Sequence, residues 1–119
     1  MIDWRTLYLN YILHDTLLTD RIEARWLARR AKSFVLVEGE LYKRGHIGIL
    51  QLCIPGEQGK LLLGDIHGGA CGHHAAPRTL VGNAFRQGFY WPIAVADAEQ
   101  IVRTYEGCQY YARHAHLLA

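Results

Sequence analysis

Residues 34–43, Phe34-Val35-Leu36-Val37-Glu38-Gly39-Glu40-Leu41-Tyr42-Lys43, decide the fold class. Phe34 to Val37 is a β-rich run, Glu38-Gly39 is a turn signal, and Glu40 to Lys43 returns, so the stretch predicts a hairpin. Leu50, Leu52 and Ile54 alternate with Gln51 and Cys53 and predict a third strand, ended by Pro55-Gly56. On either side the apolar period changes from two to that of a helix. Upstream, Trp4, Leu7, Tyr8, Tyr11 and Ile12 mark a first helix from Asp3, a candidate N-cap, to Leu13. Asp20 and Glu23 resemble a capping box opening a second helix through Ala31. Downstream, Glu57 to His67 is a short helix expected to stop at Gly68-Gly69. Pro77 opens another, with Leu80, Val81, Ala84 and Phe85 on one face and Gly88 as its stop. Phe89 to Pro92 reads as an aromatic connector. A further helix spans about Ile93 to Thr104 with Val95, Ala98, Ile101 and Val102 inward, and a short fourth one follows Cys108.

The chain is thus expected to be α+β: N-terminal helices, a small three-stranded antiparallel sheet, then a bundle of three to four helices. The expected divisions are a helical extension over 1–32, a β extension over 33–56 and a helical domain over 57–119. A length of 119 residues suits one small domain with an extension. Helices this short bury little surface, and a metal ion is a common staple at this size.

Composition excludes several classes. Half of the residues are apolar and a fifth are charged, which is a globular mixture and not a disordered tail. Thirteen Lys and Arg against eleven Asp and Glu exclude a strongly basic nucleic-acid arm, although a local patch remains open. No apolar run approaches the ~20 residues of a membrane span. Met1-Ile2-Asp3-Trp4-Arg5 carries an acid where a signal peptide has its basic region, and three widely spaced cysteines (Cys53, Cys71, Cys108) make a poor disulfide framework. The expectation is an intracellular protein, cytoplasmic to nuclear and not secreted.

Histidine is in excess, with seven residues. His67, His73 and His74 form one group and His114 and His116 another. Between His67 and His74 the segment Gly68-Gly69-Ala70-Cys71-Gly72-His73 is rich enough in glycine to bring two imidazoles together. A helical spacer then leads to Tyr105-Glu106-Gly107-Cys108. Two histidines, a spacer and a two-residue knuckle ending in cysteine form the layout of a tetrahedral zinc site. By residue type, three ligands are evident: His67, His74 and Cys108. Cys53 alternates with core strand residues and reads as packing, as do Phe89, Tyr90 and Trp91.

At these residues the sequence resembles the zinc-binding, His-His-Cys-Cys domain of retroviral-type integrases, particularly that of plant Gypsy-type long-terminal-repeat retrotransposons. Ile66-His67, Cys71-Gly72-His73-His74, Arg86 to Pro92 and Cys108-Gln109 match that family's motifs in order and spacing. Leu41-Tyr42-Lys43-Arg44 and Cys53-Ile54-Pro55 are similar to the small extension that precedes its zinc module. Residues 33–119 carry the resemblance well, and residues 1–32 carry it more loosely. It implies a module that folds around Zn2+, helps integrase subunits assemble and engages element DNA ends. It implies neither a membrane nor a small-molecule substrate. Strand transfer in the family belongs to a separate catalytic core, expected to begin after a segment similar to His116-Leu117-Leu118-Ala119, so no enzyme is expected in this chain.

One departure bears on chemistry. The family's first knuckle cysteine is Tyr105 here, and a phenol of pKa ~10 is a poor zinc ligand at neutral pH. Losing one thiolate also leaves a site charge of about +1 where two thiolates would balance the ion. A water, Cys71, His73 or His114 could complete the site, and Cys71, three residues before His74, leads the protein candidates.

For nucleic-acid contact, residues 21–32 offer Arg21, Arg25, Arg29, Arg30 and Lys32 against Glu23. Residues 61–119 hold four basic and four acidic groups, leaving Arg78, Arg86 and Arg113 as candidates there. Two competing functions belong to other classes. One is a metal-free interaction module self-associating through Trp4, Tyr8 and Tyr11. The other is a small zinc hydrolase, with three ligands, a water and Glu106 nearby. Metal content separates the first; chelator-sensitive ester hydrolysis would mark the second.

Overall fold

An aspartate starts the best-defined helix. In the computed structural model, which describes residues 3–15, 20–70 and 76–104, Asp20 is extended and its carboxylate accepts from the backbone N–H groups of Ile22 (2.7 Å) and Glu23 (3.1 Å). Helix α2 (Arg21–Ala31) follows, with Glu23 in its first turn and Arg29 and Arg30 in its last, both favourable to the helix dipole. Leu27 and Ala31, one turn apart, are its buried residues. Asp20→Ala should cost about 1 kcal/mol, read as a lower midpoint in urea unfolding with an unchanged slope.

The first helix, α1 (Arg5–His14), departs slightly from expectation. Trp4 occupies the N-cap position and supplies no side-chain bond. Asp3 acts one residue earlier: its carboxylate accepts from the Arg5 N–H at 3.0 Å and binds the Arg5 guanidinium at 2.6 Å. That guanidinium holds the Asp3 carboxyl below its ordinary pKa.

The hairpin forms as its sequence predicts. Strand β1 (Phe34–Val37) pairs antiparallel with β2 (Glu40–Arg44), Val37 opposite Glu40. Glu38 and Gly39 both have positive φ, 50° and 80°, the two-residue turn whose twist suits a hairpin. Strand β3 (Leu50–Cys53) pairs antiparallel with β2. A fourth strand, β4 (Phe89–Tyr90), extends the three-stranded antiparallel sheet that was expected, and it runs parallel to β3. The Leu52 N–H donates to the Gly88 carbonyl (2.7 Å) and the Ile54 N–H to the Tyr90 carbonyl (3.0 Å). The aromatic connector is thus part of the sheet, and the fold is α+β with a mixed sheet.

Between β3 and β4 run α3 (Gly56–Ala70) and α4 (Pro77–Arg86); α5 (Ala94–Thr104) follows β4 and packs on both helices. Helix α3 continues through Gly68-Gly69, where a stop was expected. Glycine costs a helix only ~1 kcal/mol per residue, and this helix is anchored by Gly59, Leu63 and His67, which recur every fourth residue and are all buried. The expected fourth short helix lies outside the described residues.

Two apolar cores result. One gathers Tyr8, Leu27, Ala31, Phe34, Leu41 and Cys53 from α1, α2 and the antiparallel strands. The other gathers residues of α3, α4 and α5 around Trp91, with Ile54 at its edge. Trp4 packs against both cores and donates its indole N–H to the Ile54 carbonyl at 2.8 Å. Tyr8 is 5% exposed and meets Trp4 edge to face at 5.8 Å. Trp4, half-buried, and Tyr8, buried, thus both make ring contacts within the chain.

Candidate functional site

His67 is the member of the expected ligand set that lies within the described residues. His74, Cys108, Cys71, His73, Tyr105 and His114 lie outside them, as does Arg113. His67 sits near the end of α3, one turn beyond Leu63, and is 0% exposed. Burial lowers its pKa, because a charged imidazolium is poorly solvated there. Burial thus favours the neutral ring, the form that ligates metal ions. In this respect His67 fits a zinc ligand. Among the described residues no group of three His, Cys, Asp or Glu side chains could hold a metal ion.

The helix that carries His67 is held by a contact that sequence reading did not anticipate. Two turns before it on the same stripe, Gly59 lies against the indole of Trp91. A Cβ at Gly59 would stand 2.3 Å from Trp91 Cε2 and 2.5 Å from Cδ2. Trp91 is itself 0% exposed, and its indole N–H donates to Asp97 Oδ2 at 3.0 Å. Asp97, buried in the first turn of α5, thus ties the end of β4 to that helix. Together these contacts set how closely α3 approaches Trp91 and α5. A glycine inside an otherwise periodic helix was the available signal; its partner, 32 residues away in sequence, was not.

The basic candidates divide between two helices. Arg78 and Arg86 are exposed on α4, where the Arg86 guanidinium donates to Asn83 Oδ1. Arg25, Arg29 and Arg30 are exposed on α2, and the Arg30 guanidinium lies 4.9 Å from the centre of the Trp26 ring.

Cys53 packs in the first core, 1% exposed, and burial pushes its thiol from an ordinary 9.0 up to about 12. Its reactive thiolate form is thereby suppressed at mildly alkaline pH. Iodoacetamide should leave Cys53 unmodified in the native protein and alkylate it in concentrated guanidinium, as read by peptide mass spectrometry. Labelling of the native protein at this residue would contradict its burial.

No helix among the described residues is long and apolar enough to cross a membrane. No known protein family, curated protein or solved structure matches this chain.

Proposed function

We propose that this chain is the zinc-binding, non-catalytic module of a Gypsy-type retrotransposon integrase, working within the cell, cytoplasmic to nuclear, as part of a polyprotein. In this role it helps integrase subunits assemble and holds element DNA ends during integration, while a separate catalytic core does the chemistry. His67, His74 and Cys108 would hold the ion, with a fourth position taken by Cys71, His73, Tyr105 or a water. The observation that carries the reading is His67. An imidazole with no exposed surface, its pKa lowered by burial, lies in the last turn of a helix that Cys71-Gly72-His73-His74 follows in sequence. The integrase-like motifs around it add their order and spacing. Bound zinc would staple short helices whose core alone is small.

A second reading, a metal-free interaction module, draws on the core around Trp91, which closes on side chains of α3, α4 and α5.

Zinc content per chain, in protein purified without added metal, tests both readings. The parent and Tyr105→Cys are compared. One tightly held zinc in the parent means that a replacement ligand exists, and Cys71→Ser and His73→Ala then identify it. Zinc in Tyr105→Cys alone means an intact scaffold around a lost site, and the interaction-module reading takes over for this chain. Zinc in neither overturns the zinc reading.

A further inference from the structure

A cleft of about 380 Å3 opens between α1, α2 and the sheet, away from the zinc helix. Five aromatic rings line it: Trp4, Tyr8, Trp26, Phe34 and Tyr90. Tyr8 and Phe34 are buried, 4.4 Å apart between ring centres, and form a rigid floor. Trp26 stays 46% exposed. Two cations line the same cleft, each already against a ring: Arg30 over Trp26 and Lys43 over Tyr90, both at 4.9 Å. Asp3, the acid at the edge, is tied to Arg5 at 2.6 Å. Past Trp26 and Arg30 the cleft continues into a shallow hollow that adds Arg25, Arg29 and the exposed Ile22. Residues 21–32, which include the cleft-side Arg25, Arg29 and Arg30, carry a net charge of +4 in a chain whose total is +2.

We infer that this cleft binds a single-stranded nucleic acid, stacking an unpaired base on its aromatic wall while Arg25, Arg29, Arg30 and Lys43 contact successive phosphates. Aromatic side chains beside a basic groove are how proteins hold single strands, because every base has a face to stack and every nucleotide has a charge. A duplex keeps its bases inside the stack and cannot fill a recess lined by rings. An apolar or proline-rich peptide would use the rings but would bring no anion to the four cations. The inference goes beyond the zinc reading and does not depend on it, since none of the expected ligands lines the cleft.

Fluorescence anisotropy of the full chain with a labelled oligothymidylate of about 12 nucleotides tests it. A blunt duplex of the same length and polyglutamate serve as competitors, and zinc content is measured on the same samples. The single strand should bind more tightly than the duplex, and four phosphate contacts predict a slope of log K against log salt near −3. Trp26→Ala should weaken binding roughly tenfold. Arg30→Ala and Lys43→Ala should weaken it and flatten the salt slope, whereas Arg103→Ala, exposed on α5, should change neither. Trp26→Phe, which keeps a smaller ring, should lie between parent and alanine if stacking is the cause. Binding by a zinc-free parent would support the cleft and overturn only the metal reading. Equal affinity for the duplex, equal displacement by polyglutamate, or an unchanged affinity in all three cleft variants would overturn the inference.

Discussion

Gly59→Ala should destabilise the protein by about 2–3 kcal/mol, although alanine is the better helix former by ~1 kcal/mol. The added methyl would fall 2.3 Å from a carbon of the Trp91 indole, whereas carbon atoms pack at about 3.5–4.0 Å. The indole has little room to retreat, being fully buried and held through its N–H by Asp97. Relief must come from α3 moving outward, which would also move Leu63 and His67. Against a typical total stability of ~5–15 kcal/mol this is a large loss. Trp91→Phe removes the larger ring and makes room for the methyl. The double variant should therefore lose less than the sum of the two single losses, with a coupling of about 1 kcal/mol or more. Guanidinium unfolding of the four proteins measures the cycle. A neutral or stabilising Gly59→Ala would mean that α3 does not lie against Trp91.

The second large effect concerns His67. In the Tyr105→Cys background, where the family's four-ligand set is complete, His67→Leu should abolish bound zinc. Leucine is close to imidazole in size, favours helix and carries no polar atom that needs a partner. A histidine that served only as core would therefore be replaced with little loss. A ligand cannot be replaced by leucine, and structural zinc contributes about 10–16 kcal/mol of apparent binding free energy in finger peptides. The expected pattern is a melting temperature that a chelator lowers steeply in Tyr105→Cys and leaves unchanged in Tyr105→Cys/His67→Leu. Retention of one zinc per chain by the leucine variant would remove His67 from the ligand set.

The parts of the fold that were legible beforehand are those set by chemistry within a few residues. Asp20 caps α2 because its carboxylate reaches N–H groups two and three residues on. Glu38-Gly39 makes the hairpin because both positions take positive φ. Pro77 opens α4, and Gly88, at φ 99°, follows its end. The inward faces of α4 and α5 follow the apolar period, with Leu80, Val81, Ala84 and Ala98 buried as read. Of the site, His67 was legible as a histidine late in a periodic helix, although the stop expected at Gly68-Gly69 does not occur. The other expected ligands lie outside the described residues.

Long-range contacts carried the rest. Strand β4 is two residues long, too short for an alternation to register, and exists because the crossover through α3 and α4 returns the chain beside β3. Helix α3 outlasts its glycines because Leu63 and His67 are held in a core that the local sequence does not contain. The aromatic cleft draws on α1, α2, β1, β2 and β4, each of which reads alone as ordinary packing. By itself the sequence determined the helices, the hairpin and the candidate ligands, since capping, turn geometry and hydrophobic period act over one or two turns of chain. Only the tertiary structure decided how close α3 comes to Trp91, which aromatic rings share a wall and where the basic face lies relative to them. Those depend on burial and packing between residues far apart in sequence, whose pairing no local pattern encodes.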